Sequence, residues 1–90
     1  MRRVDWSLSA RRDLLRIRAY IAASNPFAAE RVAAKLVVAT DALAEFPDRG
    51  RRHPRGWREF TGVKPYLIQY SVSETFVRVL RIRHAARRPR

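Results

Sequence analysis

Apolar and polar positions alternate most regularly between Tyr66 and His84. Tyr66-Leu67-Ile68-Gln69-Tyr70-Ser71-Val72 and Phe76-Val77-Arg78-Val79-Leu80-Arg81-Ile82-Arg83-His84 are rich in β-branched and aromatic residues, and polar Ser73-Glu74-Thr75 separates them. This pattern predicts a β-hairpin. Side chains alternate across a strand. Tyr66, Ile68, Tyr70 and Val72 are therefore expected on one face, with Leu67, Gln69 and Ser71 on the other. In the second arm Phe76, Arg78, Leu80, Ile82 and His84 fall at one parity, and Val77, Val79, Arg81 and Arg83 at the opposite one. One side would bury against helices while the other offers guanidinium groups to an anionic partner.

Upstream, Val4-Asp5-Trp6-Ser7-Leu8 alternates and predicts a short strand. Ser9 is a suitable helix N-cap. From Ala10 onward Ala10, Leu14, Ile17 and Ile21 recur at helical spacing, with Arg11, Arg12, Arg16 and Arg18 mostly off that stripe. Ser24-Asn25-Pro26 ends this helix and opens another, with Asn25 as N-cap and Pro26 at the first helical position. The second helix is predicted to run to about Phe46, roughly 30 Å long at about 1.5 Å per residue. Its core face would hold Ala29, Val32, Ala33, Leu36, Ala39, Thr40, Leu43 and Phe46. Pro47-Asp48-Arg49-Gly50 stops it. Arg49 to Gly56 reads as a basic loop, too polar for an element of its own. Trp57 to Thr61 reads as a strand, and Gly62-Val63-Lys64-Pro65 turns it into the hairpin. The order β-α-α-β-β-β predicts an α+β fold in one domain spanning residues 1–90. An antiparallel helical hairpin would pack on one face of a mostly antiparallel four-stranded sheet. Residues 85–90 would form a basic, frayed tail.

Composition narrows the function. With no cysteine, disulfides and thiolate metal sites are excluded. No apolar run approaches the roughly 18 to 20 residues of a membrane span, and no apolar run follows the N-terminal charges as in a secretory signal. A cytoplasmic protein without membrane contact is expected. His53 and His84 lie far apart without neighbouring carboxylates, so no metal is expected. There is no glycine-rich phosphate loop, and no cofactor is implied. Ser7, Ser9 and Thr61 lack a base for a nucleophile triad.

Charge is more informative. Twenty Lys and Arg face eight Asp and Glu, a net of +12. Residues 1–48 carry a net of +2 and residues 49–90 a net of +10, and all but two of the bases are arginine. The planar guanidinium suits phosphate and carboxylate recognition, so a polyanion or strongly acidic protein is the expected partner.

Several stretches together resemble the RelE/ParE toxins of bacterial type II toxin–antitoxin pairs. They are Ala10 to Ile21, Asn25-Pro26 with Ala28-Ala29, Leu43 to Pro47, Gly50-Arg51, the Tyr66-x-Ile68-x-Tyr70-x-Val72 arm, and Val79 to His84 followed by Ala86-Arg87-Arg88-Pro89. The resemblance implies a small growth inhibitor neutralised by a cognate acidic antitoxin. RelE-like members cut messenger RNA on the ribosome, and ParE-like members are associated with poisoning DNA gyrase. The RelE-like pattern has an arginine after the aromatic that opens the first hairpin arm, where this chain has Leu67. It also places a tyrosine beyond the last strand, and no tyrosine follows Tyr70. The resemblance therefore favours a ParE-like inhibitor that binds gyrase. A ribosome-dependent endoribonuclease is the alternative, and a non-toxic basic nucleic-acid-binding module is a third.

His84 is the candidate catalytic residue if the chain is a nuclease, with Arg81 and Arg83 available for phosphate. Arg58, Arg81, Arg83, Arg87, Arg51 and Arg52 are the candidate contacts to target or antitoxin. Arg81 and Arg83 would stand about 7 Å apart on one strand face. For Arg58, an internal ion pair with a helix carboxylate competes with a target contact. Tyr66, Tyr70, Trp6 and Trp57 are expected to pack, with Trp57 beside the basic loop as a possible exposed anchor.

Overall fold

The computed structural model describes residues 2–87, the side chain of Arg87 excepted. The elements are strand β1 (Arg3–Trp6), helix α1 (Leu8–Ala22), helix α2 (Pro26–Ala42), strand β2 (Arg51–Arg52), strand β3 (Arg58–Phe60), strand β4 (Tyr66–Val72) and strand β5 (Phe76–His84). Short 3-10 turns occupy Pro47–Arg49 and Ala85–Arg87. The sheet order is β1-β5-β4-β3-β2. β1 runs parallel to β5, and every other pairing is antiparallel. The α+β class and the helical hairpin are as expected.

The sheet has five strands rather than four. The additional one, β2, lies inside the basic loop, where Arg51 pairs with Glu59 and Arg52 with Arg58. Both of its residues are exposed. Backbone pairing at a sheet edge needs no apolar side chain, so hydrophobic alternation could not reveal it.

Two capping groups set the helices. Ser7, not Ser9, is the N-cap of α1: its hydroxyl accepts the Ala10 N–H at 3.0 Å and donates to the Leu80 carbonyl at 2.8 Å. One side chain thus closes the helix end and ties it to β5. Asn25 caps α2 as expected, accepting the Ala28 N–H at 3.0 Å, with Pro26 following. α2 ends at Ala42, four residues before the expected limit. Beyond it Leu43, Ala44 and Glu45 donate to carbonyls only three residues back, which tightens the chain into a turn. Phe46 is consequently exposed rather than core, with the Arg49 guanidinium 5.4 Å from its ring centre.

The core lies between the helical hairpin and one sheet face. Ala10 of α1, Leu36 of α2, Leu43, Ile68, Tyr70, Val77, Val79 and Ile82 form it, flanked by Trp6, Leu14, Ile17 and Val32. In β4 the expected parity holds, since Ile68 and Tyr70 are fully buried. In β5 it does not. Val77 and Val79 are core residues, while Phe76 and Arg78 are exposed. The register breaks between Gln69 and Tyr70, which pair with Arg81 and Val79 respectively and leave Leu80 as the extra residue. Such a bulge shifts the facing of everything beyond it. Valines therefore face the helices before it, and Ile82 does so after it.

Candidate functional site

The arginines of β5 are not all turned to solvent. Arg81 does not lie beside Arg83 as a second exposed guanidinium. It reaches α1, donating from Nε to Asp13 Oδ2 at 2.8 Å and from Nη2 to Asp13 Oδ1 at 3.2 Å. Asp13 Oδ2 also accepts the Ile82 N–H at 2.9 Å. The hydrogen bond to Asp13 raises the guanidinium pKa above its usual value, outweighing burial, so Arg81 stays charged. Asp13 is 6% exposed. It sits on the apolar stripe of α1 beside Leu14, and an acidic residue at that position was the available sign of a buried pair.

Arg78 is paired as well, with Asp5 on β1 at 2.8 Å across the parallel register. Arg58 donates from Nη1 to the Gly50 carbonyl at 2.9 Å, with Nη2 3.4 Å from Asp48. Of the two expectations for Arg58 the internal ion pair is the one observed, although its carboxylate comes from the turn after α2 rather than from a helix. The expectation of an arginine-studded sheet face open to a partner is thus corrected. Three strand arginines are engaged by the molecule's own acceptors. The side chains of Arg51, Arg52 and Arg83 make no hydrogen bond or ion pair among the described residues. The side chain of Arg87 lies outside the described residues, as do residues 88–90 of the expected basic tail.

Arg81, Arg83 and His84 do converge at the C-terminal end of β5. With Asp13, Arg16, Ile17, Tyr20, Tyr66 and Ile82 they line a cleft of about 580 Å³ against α1. His84 lies opposite Tyr66 in register, and the two rings meet edge to face at 5.8 Å. His84 Nδ1 accepts the Ala86 N–H at 3.2 Å, which leaves Nε2 as the proton-bearing nitrogen of the neutral ring.

The sheet face away from the helices holds a second buried carboxylate that is absent from the residues singled out by sequence. Glu59 is 7% exposed and accepts from Trp57 Nε1 at 3.2 Å and Gln69 Nε2 at 3.1 Å. Trp57 is half-buried and stacks on His53 at 4.1 Å between ring centres, so neither ring is a free anchor. Leu67, expected on an open surface, is 1% exposed.

The outer side of the helical hairpin is apolar. Leu15 and Val38 are more than half exposed, and Val37 is 40% exposed. Two shallow grooves flank α2 and share Ala34 and Val38. One, of about 430 Å³, runs between the helices. The other, of about 570 Å³, is floored by Ala39, Ala42, Phe60 and Val63 and bordered by Lys35, Arg49 and Lys64. Among the described residues, no helix is long and apolar enough to cross a membrane.

The two-helix hairpin on a mixed sheet is a fold shared with a solved chain. The chain superposes on a structure described as the chromosomal ParDE TA system from P. aeruginosa with a TM-score of 0.81 over 93% of this chain and 96% of that one, at 22% identity. The family model described as the ParE toxin of the type II toxin–antitoxin system, parDE, matches residues 4–89. Relatives include Toxin RelE2 of Caulobacter vibrioides, 47% identical over 97% of this chain and 99% of its own length. Putative toxin Y4kP of Sinorhizobium fredii is 42% identical over 93% of this chain and 88% of its own length. The chain belongs to the ParE/RelE family of type II toxins, a family whose members are paired with a cognate antitoxin.

Proposed function

We propose that this toxin acts in the cytoplasm by binding, with DNA gyrase as its target, and that an acidic antitoxin restrains it. The observation that carries the proposal is that, among the described residues, the carboxylate and the imidazole of the cleft at the end of β5 are already engaged as acceptors. Asp13, the one carboxylate there, already accepts three hydrogen bonds. His84 Nδ1 is occupied by a backbone N–H. Cleaving RNA requires a group to take the ribose 2′-hydroxyl proton and cations to hold the phosphate. The position after Tyr66, a cation in the RelE-like pattern, is the buried Leu67. What favours the nuclease alternative is that Arg81, Arg83 and His84 share one cleft. Arg51, Arg52 and Arg83 remain the candidate target contacts.

The antitoxin reading follows from the apolar grooves on either side of α2. An apolar floor with a rim of Lys35, Arg49 and Lys64 suits an amphipathic acidic segment that lays hydrophobic anchors into a groove. Such a partner would also relieve the self-repulsion of a chain with a net charge of +12.

The test is a supercoiling assay with purified gyrase and the full chain. Inhibition at near-stoichiometric toxin, relieved by antitoxin, is expected. Undisturbed supercoiling at saturating toxin, together with cut messenger on stalled ribosomes, would establish the nuclease instead.

A further inference from the structure

We propose that the outward face of α1 is a peripheral docking surface for an anionic phospholipid bilayer. Neither the gyrase reading nor the antitoxin reading bears on it.

The exposed side of α1 is apolar along its ridge and cationic on both flanks. Leu8 and Leu15, 63% and 61% exposed, stand two turns apart on one line, about 10 Å along the axis. Arg11 and Arg18, also seven residues apart, follow one flank of that line. Arg12 and Arg16, four apart, follow the other, and all four arginines are exposed. The one carboxylate of the helix, Asp13, is turned inward and buried against Arg81. Arg18 pairs with Glu30. The side chains of Arg11, Arg12 and Arg16 make no hydrogen bond or ion pair among the described residues. On α2 the apolar strip widens. Val37 and Val38 line one groove with Leu15, and Phe27 in the first turn is 81% exposed. Exposed Arg31 and Lys35 of α2 offset its two exposed carboxylates, Glu30 and Asp41, so the arginines of α1 set the sign of the whole face.

An apolar strip of this kind calls for a partner that removes it from water. Its shape and charge select the partner. The leucines of α1 form a convex ridge, which a folded protein could receive only in a matching groove edged by carboxylates on both sides. A bilayer surface needs no prior shape. Its acyl boundary admits the leucines, and its headgroup phosphates meet guanidinium groups that reach outward from the flanks. Anionic lipid is the complement of a chain with a net charge of +12. Contact of this type is peripheral and needs no spanning helix. Leu15 and Val38 border the groove beside α2, so a toxin whose groove is filled would be kept off the bilayer.

The test is co-sedimentation of the purified full chain with vesicles of equimolar phosphatidylglycerol and phosphatidylcholine, and with phosphatidylcholine alone, at physiological salt. Binding to the mixed vesicles is expected, and at least about tenfold weaker binding to the neutral ones. Arg11→Glu with Arg12→Glu should weaken binding about thirtyfold or more. Leu8→Ser with Leu15→Ser should weaken it about tenfold or more, with an unchanged melting temperature because both leucines are exposed. Arg51→Glu with Arg52→Glu, at the sheet edge, alters net charge equally and should cost no more than about threefold. The chain has no cysteine, so a nitroxide attached at Leu15→Cys or at Arg52→Cys reports depth. Oxygen accessibility should rise on vesicle binding at position 15 and stay constant at position 52. No binding to the mixed vesicles, equal binding to neutral ones, or a label at position 15 that stays in water would each overturn the proposal. So would an Arg51→Glu/Arg52→Glu loss as large as that of Arg11→Glu/Arg12→Glu, which would mark attraction by net charge alone. If Leu8→Ser/Leu15→Ser leaves vesicle binding intact and weakens antitoxin, the ridge belongs to the antitoxin and the proposal falls.

Discussion

Asp13 and Arg81, 68 residues apart in sequence, form a two-point ion pair that fastens α1 to β5 at its bulge. The carboxylate is buried, while the arginine side chain is 38% exposed. Removing the arginine leaves a buried charge held by one backbone N–H, a loss costing about 3 kcal/mol. Asp13→Asn should cost less, because water can solvate the freed guanidinium and the amide oxygen still accepts from Ile82. Arg81→Met is therefore expected to be the more destabilising change, measured as a lower urea midpoint. Combining it with Asp13→Leu should recover part of the loss, since an apolar pair leaves no stranded charge.

Tyr70 forms the second internal tie. Its ring is fully buried, and its hydroxyl donates to the Pro47 carbonyl at 2.7 Å and accepts the Gly50 N–H at 2.8 Å. Burial raises its pKa above the ordinary 10.0, against the lowering effect of the Gly50 N–H. The folded protein thus holds this proton where the unfolded chain releases it. The resulting stability is complete below pH 10 and is lost as pH rises through the folded value. Stability should therefore fall on the alkaline side, and Tyr70→Phe should flatten that fall. At neutral pH the phenylalanine variant should cost about 1–3 kcal/mol for two backbone groups left unpaired. Denaturant titrations at several alkaline pH values check both outcomes.

Gly50 faces the same tyrosine at close range. A Cβ placed there would fall 2.6 Å from Tyr70 Oη and 2.8 Å from its Cε1. Tyr70 is enclosed and cannot yield, so Gly50→Ala should destabilise by about 1–3 kcal/mol. A melting temperature equal to that of the parent would show that the turn at Pro47–Arg49 gives way instead.

Helix spacing, the Asn25-Pro26 joint and the β4 alternation were legible because each is a local pattern. The β5 parity was not, because its bulge is a property of the pairing with β4 rather than of either strand alone. The opposing arms have no one-residue mark of it in sequence. Arg81 resembles a surface cation in sequence and is half of an internal pair, because its partner Asp13 lies 68 residues away on α1. Asp13 and Glu59 each directly follow an arginine, and an acidic residue in that setting resembles solvated surface. Only the register shows what surrounds them. The convergence of Arg16 and Tyr20 with His84 likewise depends on how α1 crosses the sheet, which periodicity does not specify.

The Arg78–Asp5 pair has good geometry, but both side chains are nearly half exposed. Exposed ion pairs contribute about 1 kcal/mol or less. Arg78→Ala should therefore leave stability almost unchanged, while any weakening of antitoxin or target binding would identify Arg78 as an interface residue. Calorimetric melting alongside a binding titration separates the two outcomes.

The antitoxin proposal makes its sharpest prediction at Val38, which is 67% exposed and belongs to both grooves beside α2. Because little of it is buried, Val38→Asp should change stability by no more than about 0.5 kcal/mol. A carboxylate there would meet both the apolar anchors and the acidic groups expected of the partner, so antitoxin affinity should fall by about thirtyfold or more. Val72→Asp, also exposed but outside the grooves, is the matched control and should bind normally. Raising salt should weaken the parent complex without dissolving it, since the charges are screened and the apolar anchors are not. If Val38→Asp binds as tightly as the parent while Val72→Asp does not, the antitoxin docks on the sheet end instead of the hairpin.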